Sequence, residues 1–172
     1  DLLWKRCLKE GLCEPLSVAA IFVANWDGRN LRLKSPDGRL VKLELSGNLA
    51  GRYFRSGNGS PFNIGLQAVT LGGRIGKESA RLKRHNRIHD QFMLYGLSAE
   101  LTEALAKWTE LQIRKHLSDG RTRRISPGYP VWPSLMEQRK LFLLLKPERI
   151  GIRLTRSCQM VPEFSTSAMV IK

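Results

Sequence analysis

Cysteine is scarce in this chain: three residues, Cys7, Cys13 and Cys158, among 172. An odd number in no metal-ligand spacing excludes a disulfide framework and a zinc ribbon, and it suits a reducing, cytosolic compartment. Long apolar runs are missing too. The longest, Leu16 to Asn25, falls well short of the roughly 18–20 residues that cross a bilayer. The opening Asp1-Leu2-Leu3-Trp4-Lys5 has no basic stretch leading into an apolar one, so no secretory signal stands there. No methionine precedes Asp1, and the chain is expected to be part of something longer. Acidic residues are the last shortage: 15 against 29 basic ones, a net charge of +14. The final third is the most one-sided, with 10 basic and 3 acidic residues in 121–172. Such a field attracts polyanions and anionic surfaces, and it carries no information about fold.

What remains is an ordinary globular composition, 42% hydrophobic and 26% charged. A chain of this length builds one core and buries about 70% of its unfolded surface. Leu2 to Leu12 reads as a short helix stopped near Gly11. Leu16 to Val23 is an apolar run followed by a turn at Trp26-Asp27-Gly28. Leu31 and Leu33 alternate with basic residues, Pro36-Asp37-Gly38 turns the chain, and Leu40 to Leu45 alternates again, which makes a hairpin. Arg52 to Pro61 is Gly- and Ser-rich and reads as a loop. Phe62 to Leu71 is a strand with Ile64, Leu66, Ala68 and Thr70 on one face.

From Gly76 to Leu117 the helical pattern continues, with an interruption expected at Gly96. Ser98 is a candidate cap. Leu97, Leu101, Ala104, Leu105, Trp108 and Leu111 form the apolar face of the second half. Asp119-Gly120 ends it. Ser134 and Glu137 have capping-box spacing, opening a helix that runs to about Leu145. Ile150, Ile152 and Leu154 alternate, as do Thr166, Ala168 and Val170. The order of elements favours an α+β fold: a single domain with a twisted, mainly antiparallel sheet and long helices.

Candidate chemistry is thin along most of the chain. Leu71-Gly72-Gly73-Arg74-Ile75-Gly76-Lys77 lies where a phosphate loop would sit, but Leu71 replaces its first glycine and Glu78 its metal-binding hydroxyl. A tight strand-to-helix turn is the better reading. His85 and His89 are four apart, without the glutamate of a zinc hydrolase, and read as a solvated pair. Arg74, Lys77, Arg81, Lys83, Arg84 and Arg87 form the densest basic run and motivate a runner-up function, a non-catalytic module that binds an anionic partner such as nucleic acid. No nucleophile elbow is present, and no residue is singled out as catalytic or metal-binding. Catalysis in this chain would work by positioning a reactive cofactor.

The most unusual stretch is Arg124-Ile125-Ser126-Pro127-Gly128-Tyr129-Pro130. Its prolines stiffen a loop in which Gly128 removes side-chain bulk and Tyr129 is held outward. A guanidinium beside exposed backbone groups receives a small carboxylate well. A stiff surface turn explains the same residues equally well.

This loop resembles the activation domain of cobalamin-dependent methionine synthase. The likeness continues through Gln138-Arg139-Lys140-Leu141-Phe142, Leu145-Lys146-Pro147-Glu148-Arg149-Ile150-Gly151, Leu154-Thr155 and Pro162 to Ala168. Upstream, Tyr95 to Leu101 and Glu103-Ala104-Leu105-Ala106 are similar to that domain's long helix. Val69-Thr70 and Phe22 to Leu33 match more loosely. The chain departs from the family at Pro130-Val131-Trp132-Pro133-Ser134, where the family has Pro-Ala-Cys-Pro-Asp.

The resemblance implies a domain, residues 1–172, that binds S-adenosylmethionine and closes over a separate cobalamin-binding domain after cob(II)alamin has formed. Flavodoxin or another donor supplies one electron, and the sulfonium methyl passes to the reduced corrinoid, restoring methylcobalamin. Homocysteine methylation belongs to the rest of the enzyme. By the same resemblance, Arg124 binds the ligand's carboxylate, and Ser126 and Gly128 meet the ligand through backbone groups. Tyr129 faces the corrin, and Glu103 stands near the ligand's cationic end. A plain solvated helix residue remains the alternative for Glu103. The family's ligand-binding aspartate and its late tyrosines would lie outside residues 1–172, so truncation at both ends is expected. The setting implied is cytoplasmic, with no membrane.

Overall fold

The computed structural model describes residues 2–54, 60–117 and 120–172. The chain begins with α1 (Leu2–Lys9), β1 (Leu16–Trp26), β2 (Asn30–Lys34), β3 (Leu40–Glu44) and α2 (Gly47–Phe54). β4 (Phe62–Thr70), α3 (Arg74–Arg84), α4 (Ile88–Arg114) and β5 (Arg123–Ile125) follow. The last third holds α5 (Gln138–Leu145), β6 (Arg153–Leu154), β7 (Met160–Val161) and β8 (Ser165–Ile171). Among the described residues, six strands make one sheet in the order β3-β2-β1-β4-β8-β5, each neighbouring pair antiparallel. The α+β expectation, with a mainly antiparallel sheet, is borne out.

Turn chemistry sets the hairpins. Asp27 accepts the backbone N–H groups of Arg29 and Asn30 at 3.0 and 2.7 Å, and Gly28 takes φ 91°. Gly38, at φ 84°, closes the next turn. β1 pairs with β4 from Leu16–Thr70 to Ala24–Phe62, but with β2 only through Ala24, Asn25 and Trp26. The β2–β3 hairpin therefore joins the rest of the sheet through the last three residues of β1.

β4 is buried on both faces. Ile64, Leu66 and Ala68 pack with Leu141, Phe142, Leu144 and Leu145 of α5, as their alternation predicts. The other face carries α4, where the Gln67 amide donates to the Ala106 carbonyl at 3.1 Å. A second core joins Cys7 and Leu12 to Leu71, Ile75, Leu82 and Leu94.

The long helices depart from expectation in three ways. The break falls at residues 85–87, where Asn86 adopts φ 55°, and Gly96 lies inside an unbroken α4. One glycine costs a helix only about 1 kcal/mol, less than packing supplies, whereas asparagine tolerates the left-handed conformation that ends one. Ser98 is no cap: it is buried mid-helix and donates to the Leu94 carbonyl at 2.6 Å. The face pressed on the sheet is Ser98, Thr102, Ala106, Thr109 and Ile113, while Trp108 is 55% exposed. Leu97, Leu101 and Leu105 pack only partly, against the second core.

Two further expectations change. Residues 47–54 form α2 where a loop was expected from Arg52; the rest of that stretch, 55–59, and Asp119 lie outside the described residues. The capping box does not form. Ser134 makes no side-chain cap, and Glu137 turns inward to accept the Glu44 backbone N–H at 3.0 Å and Lys140 Nζ at 2.6 Å.

Candidate functional site

Arg124 is the middle residue of β5 and pairs with Val170 of β8. Successive strand residues point to opposite faces, so Arg123 and Ile125 turn one way and Arg124 the other. Ile125 enters the core, and the Arg123 guanidinium lies over the Tyr53 ring at 5.7 Å. Arg124 faces α4, whose Glu103, Lys107 and Glu110 fall on one stripe at spacings of four and three. Its Nη2 donates to Glu103 Oε2 at 2.6 Å, and its Nε lies 3.7 Å from Glu110 Oε2. These side chains line a cleft of about 580 Å3, together with Tyr53, Thr122, Ser126, Tyr129, Pro130 and Thr166 among others.

Glu110 is the buried charge of this group. Thr122 Oγ1 donates to its Oε1 at 2.6 Å, and Lys107 Nζ donates to its Oε2 at 2.9 Å. Burial alone would raise its carboxyl pKa. The hydrogen bonds from Thr122 and Lys107, with the positive charges of Lys107 and Arg124, outweigh burial and hold it below the ordinary glutamate value. The carboxylate is therefore ionised at neutral pH.

The loop after β5 is folded back on a buried anchor. Gly128, at φ 90°, donates its N–H to the Trp132 carbonyl at 2.8 Å, and Trp132 returns an N–H to Tyr129 O at 2.8 Å. Trp132 is fully buried, and Tyr129 is 66% exposed at the rim. The fold thus brings Arg124, Glu103, Ser126 and Tyr129 to one cleft. Gly128 lies beside it, in the turn, with its N–H already engaged.

Sequence reasoning missed Tyr53, Lys107, Glu110 and Thr122. Glu110 and Lys107 share the helical stripe of Glu103, so the three-and-four spacing was the available signal. Tyr53 carried none, because α2 was not foreseen. His85 and His89 are both exposed, His85 in the α3–α4 break and His89 in the first turn of α4, not on one helix. Much of the basic run is neutralised: Arg74 pairs with Glu14, Arg81 with Glu78 and Arg87 with Asp90. Gly72, at φ 79°, makes the strand-to-helix turn against Glu14, whose carboxylate would lie 2.8 Å from a Cβ there.

The family described as "Vitamin B12 dependent methionine synthase, activation domain" matches residues 53–172. The chain belongs to that family. Two methionine synthases are similar over 62% of the chain, that of Mycobacterium tuberculosis at 32% identity and that of Mycobacterium leprae at 31%. The alignments take in 11% and 10% of those proteins, so the matched part of the chain spans about a tenth of their length. A crystal structure of the MetH reactivation domain bound to AdoHcy superposes with a TM-score of 0.77. It covers 99% of this chain and 64% of that one at 21% identity, a likeness of fold. Membership of the methionine synthase family leaves the polyanion-binding alternative without support. Among the described residues, no helix is long and apolar enough to cross a membrane.

Proposed function

We propose that the cleft between α4 and β5 binds S-adenosylmethionine and presents its methyl group to a corrinoid on a neighbouring cobalamin-binding domain. One observation carries the reading. Arg124 and Glu103, opposite charges from separate elements, meet at 2.6 Å in the cleft. An amino-acid tail bears the same two charges. Its carboxylate replaces Glu103 on the guanidinium, and its ammonium takes the carboxylate that is released. Glu103 is 59% exposed, so the exchange breaks a surface ion pair of small worth, about 0–1 kcal/mol.

The size of the cleft fits a nucleoside-sized ligand, since such sites run to about 300–1,000 Å3. Ser126 lines the cleft beside the tail, and exposed Tyr129 offers a flat ring to a macrocycle. When bound, the corrinoid supplies the nucleophilic metal that accepts the methyl group. The part of this chain is orientation. Aligned reactants can save about 7–11 kcal/mol of barrier in the best cases.

Residues 1–172 are read as a single activation domain. In this reading the rest of methionine synthase carries out homocysteine methylation, and flavodoxin or another one-electron donor serves the reaction in the cytoplasm. The AdoHcy bound to the solved relative supports the ligand class. Calorimetry with S-adenosylmethionine and S-adenosylhomocysteine tests the reading. Wild type is expected to bind both, and Arg124→Ala to lose most of that heat. Equal heats from the two proteins, or none from wild type, would defeat it.

A further inference from the structure

The two carboxylates around Arg124 are unequal. Glu103 is 59% exposed and Glu110 only 3%. An ion so buried requires partners, and Glu110 has them in Thr122 Oγ1, Lys107 Nζ and, at 3.7 Å, Arg124 Nε. Thr122 and Arg124 lie two residues apart at the entrance to β5, so Glu110 ties that segment to α4. The guanidinium is thus approached on two edges. Its Nη2 edge meets a side chain that solvent can receive, and its Nε edge meets one that is held in place.

A ligand carboxylate entering the cleft must take the Nη edge from Glu103. With that contact gone, an arginine held nowhere else would follow its old partner or swing toward solvent, because its side chain has four rotatable bonds and is 26% exposed. Lys107 adds a second problem. Its ammonium lines the same cleft, and its ion-pair partner is Glu110. An uncompensated cation there would repel the cationic end of the ligand.

We propose that Glu110 is a positioning residue: it holds Arg124 by its Nε edge and neutralises Lys107, so that the guanidinium stays aimed into the cleft when the ligand's amino-acid tail displaces Glu103. The inference rests on the reading that the cleft takes a nucleoside bearing such a tail. The exposed carboxylate is the exchangeable partner, and the buried one is permanent.

The test compares S-adenosylhomocysteine with 5′-methylthioadenosine, which has the nucleoside and thioether but no amino-acid tail. Affinities are measured by calorimetry on wild type, Glu110→Gln and Thr122→Val, with the melting temperature of each. Glu110→Gln is expected to weaken S-adenosylhomocysteine about tenfold. Binding of 5′-methylthioadenosine should stay within about twofold, since it makes no use of Arg124. Thr122→Val keeps the charge and loses one hydrogen bond to it, so it should show a smaller loss of the same selective kind. It carries the test alone if Glu110→Gln does not fold. A general loosening of the domain would weaken both nucleosides together, and that result overturns the proposal, as does an unchanged affinity for S-adenosylhomocysteine. Failure of wild type to bind S-adenosylhomocysteine would overturn the functional reading and this inference with it; normal wild-type binding with no selective loss overturns the inference alone.

Discussion

Ile113 of α4 fills the space in which a side chain at position 65 of β4 would begin: a Cβ on Gly65 would stand 2.2 Å from Ile113 Cγ2. Gly65 pairs with Ile21 on one side and Val170 on the other, so the strand has little room to retreat. Gly65→Ala is expected to destabilise the protein by about 1–3 kcal/mol, the usual cost of overpacking a core. Pairing it with Ile113→Ala should recover part of that loss. Urea denaturation of the two single variants and the double variant measures the coupling, and additive losses would refute the close contact.

Acid should loosen the junction of α1 and α3. Glu78 accepts hydrogen bonds from Arg81, at 2.6 and 2.8 Å, and from Arg6 of α1. The Arg81 bond leads, burial opposes it, and the Arg6 bond adds to it, bringing the carboxyl from 4.5 down to about 2. Between those values the unfolded chain binds more protons than the folded one. Stability from this group is complete above about pH 4.5 and disappears as pH falls toward 2. Glu78→Gln should flatten that slope, removing on the order of 2 kcal/mol at neutral pH after screening at the exposed arginines. Melting curves from pH 2 to 7 give the comparison, and parallel curves would contradict it.

Glu103→Gln separates binding from folding. The side chain is mostly exposed, so the melting temperature should move little. Binding of S-adenosylhomocysteine should weaken about tenfold, because a neutral amide receives an ammonium poorly. Titration calorimetry beside thermal melting checks both halves, and a large fall in melting temperature would count against this division.

Glu137 should matter although it does not line the cleft. It is 5% exposed and accepts the backbone N–H of Glu44 and the ammonium of Lys140. Glu137→Ala leaves a part-buried amide without its acceptor and is expected to cost about 1–2 kcal/mol. Hydrogen exchange at Glu44 reads the effect directly: its amide should exchange faster in the variant, and unchanged protection would contradict the bond.

The strands were legible because alternation reports burial directly. Leu31, Leu33, Val41 and Leu43 face inward as their spacing says. The face of α4 was not, for a physical reason. Ser98, Thr102 and Thr109 satisfy their hydroxyls on carbonyls four residues back, so polar side chains lie buried at the sheet while leucines flank them. The same offset turns Trp108 outward. In the cleft, Arg124 and Tyr129 were readable from the stiff loop, and Glu103 from its resemblance to the family's helix. Lys107 and Glu110 depend on which helical stripe meets β5, and Tyr53 on an eight-residue helix whose sequence, Gly47 to Phe54, opens with Gly-Asn. The spacing of Lys107 and Glu110 from Glu103 hints at the first, but the second cannot be read before the packing is known.

β5 has only three residues, and within the sheet it is held on one side alone, by β8. Arg124 owes its station to Val170, forty-six positions further along the chain. During synthesis the guanidinium leaves the ribosome well before the strand that seats it. On the proposed function, the ligand receptor is therefore among the last parts of this domain to be completed, since a product ending short of residue 165 lacks β8 and with it the pairing that seats Arg124.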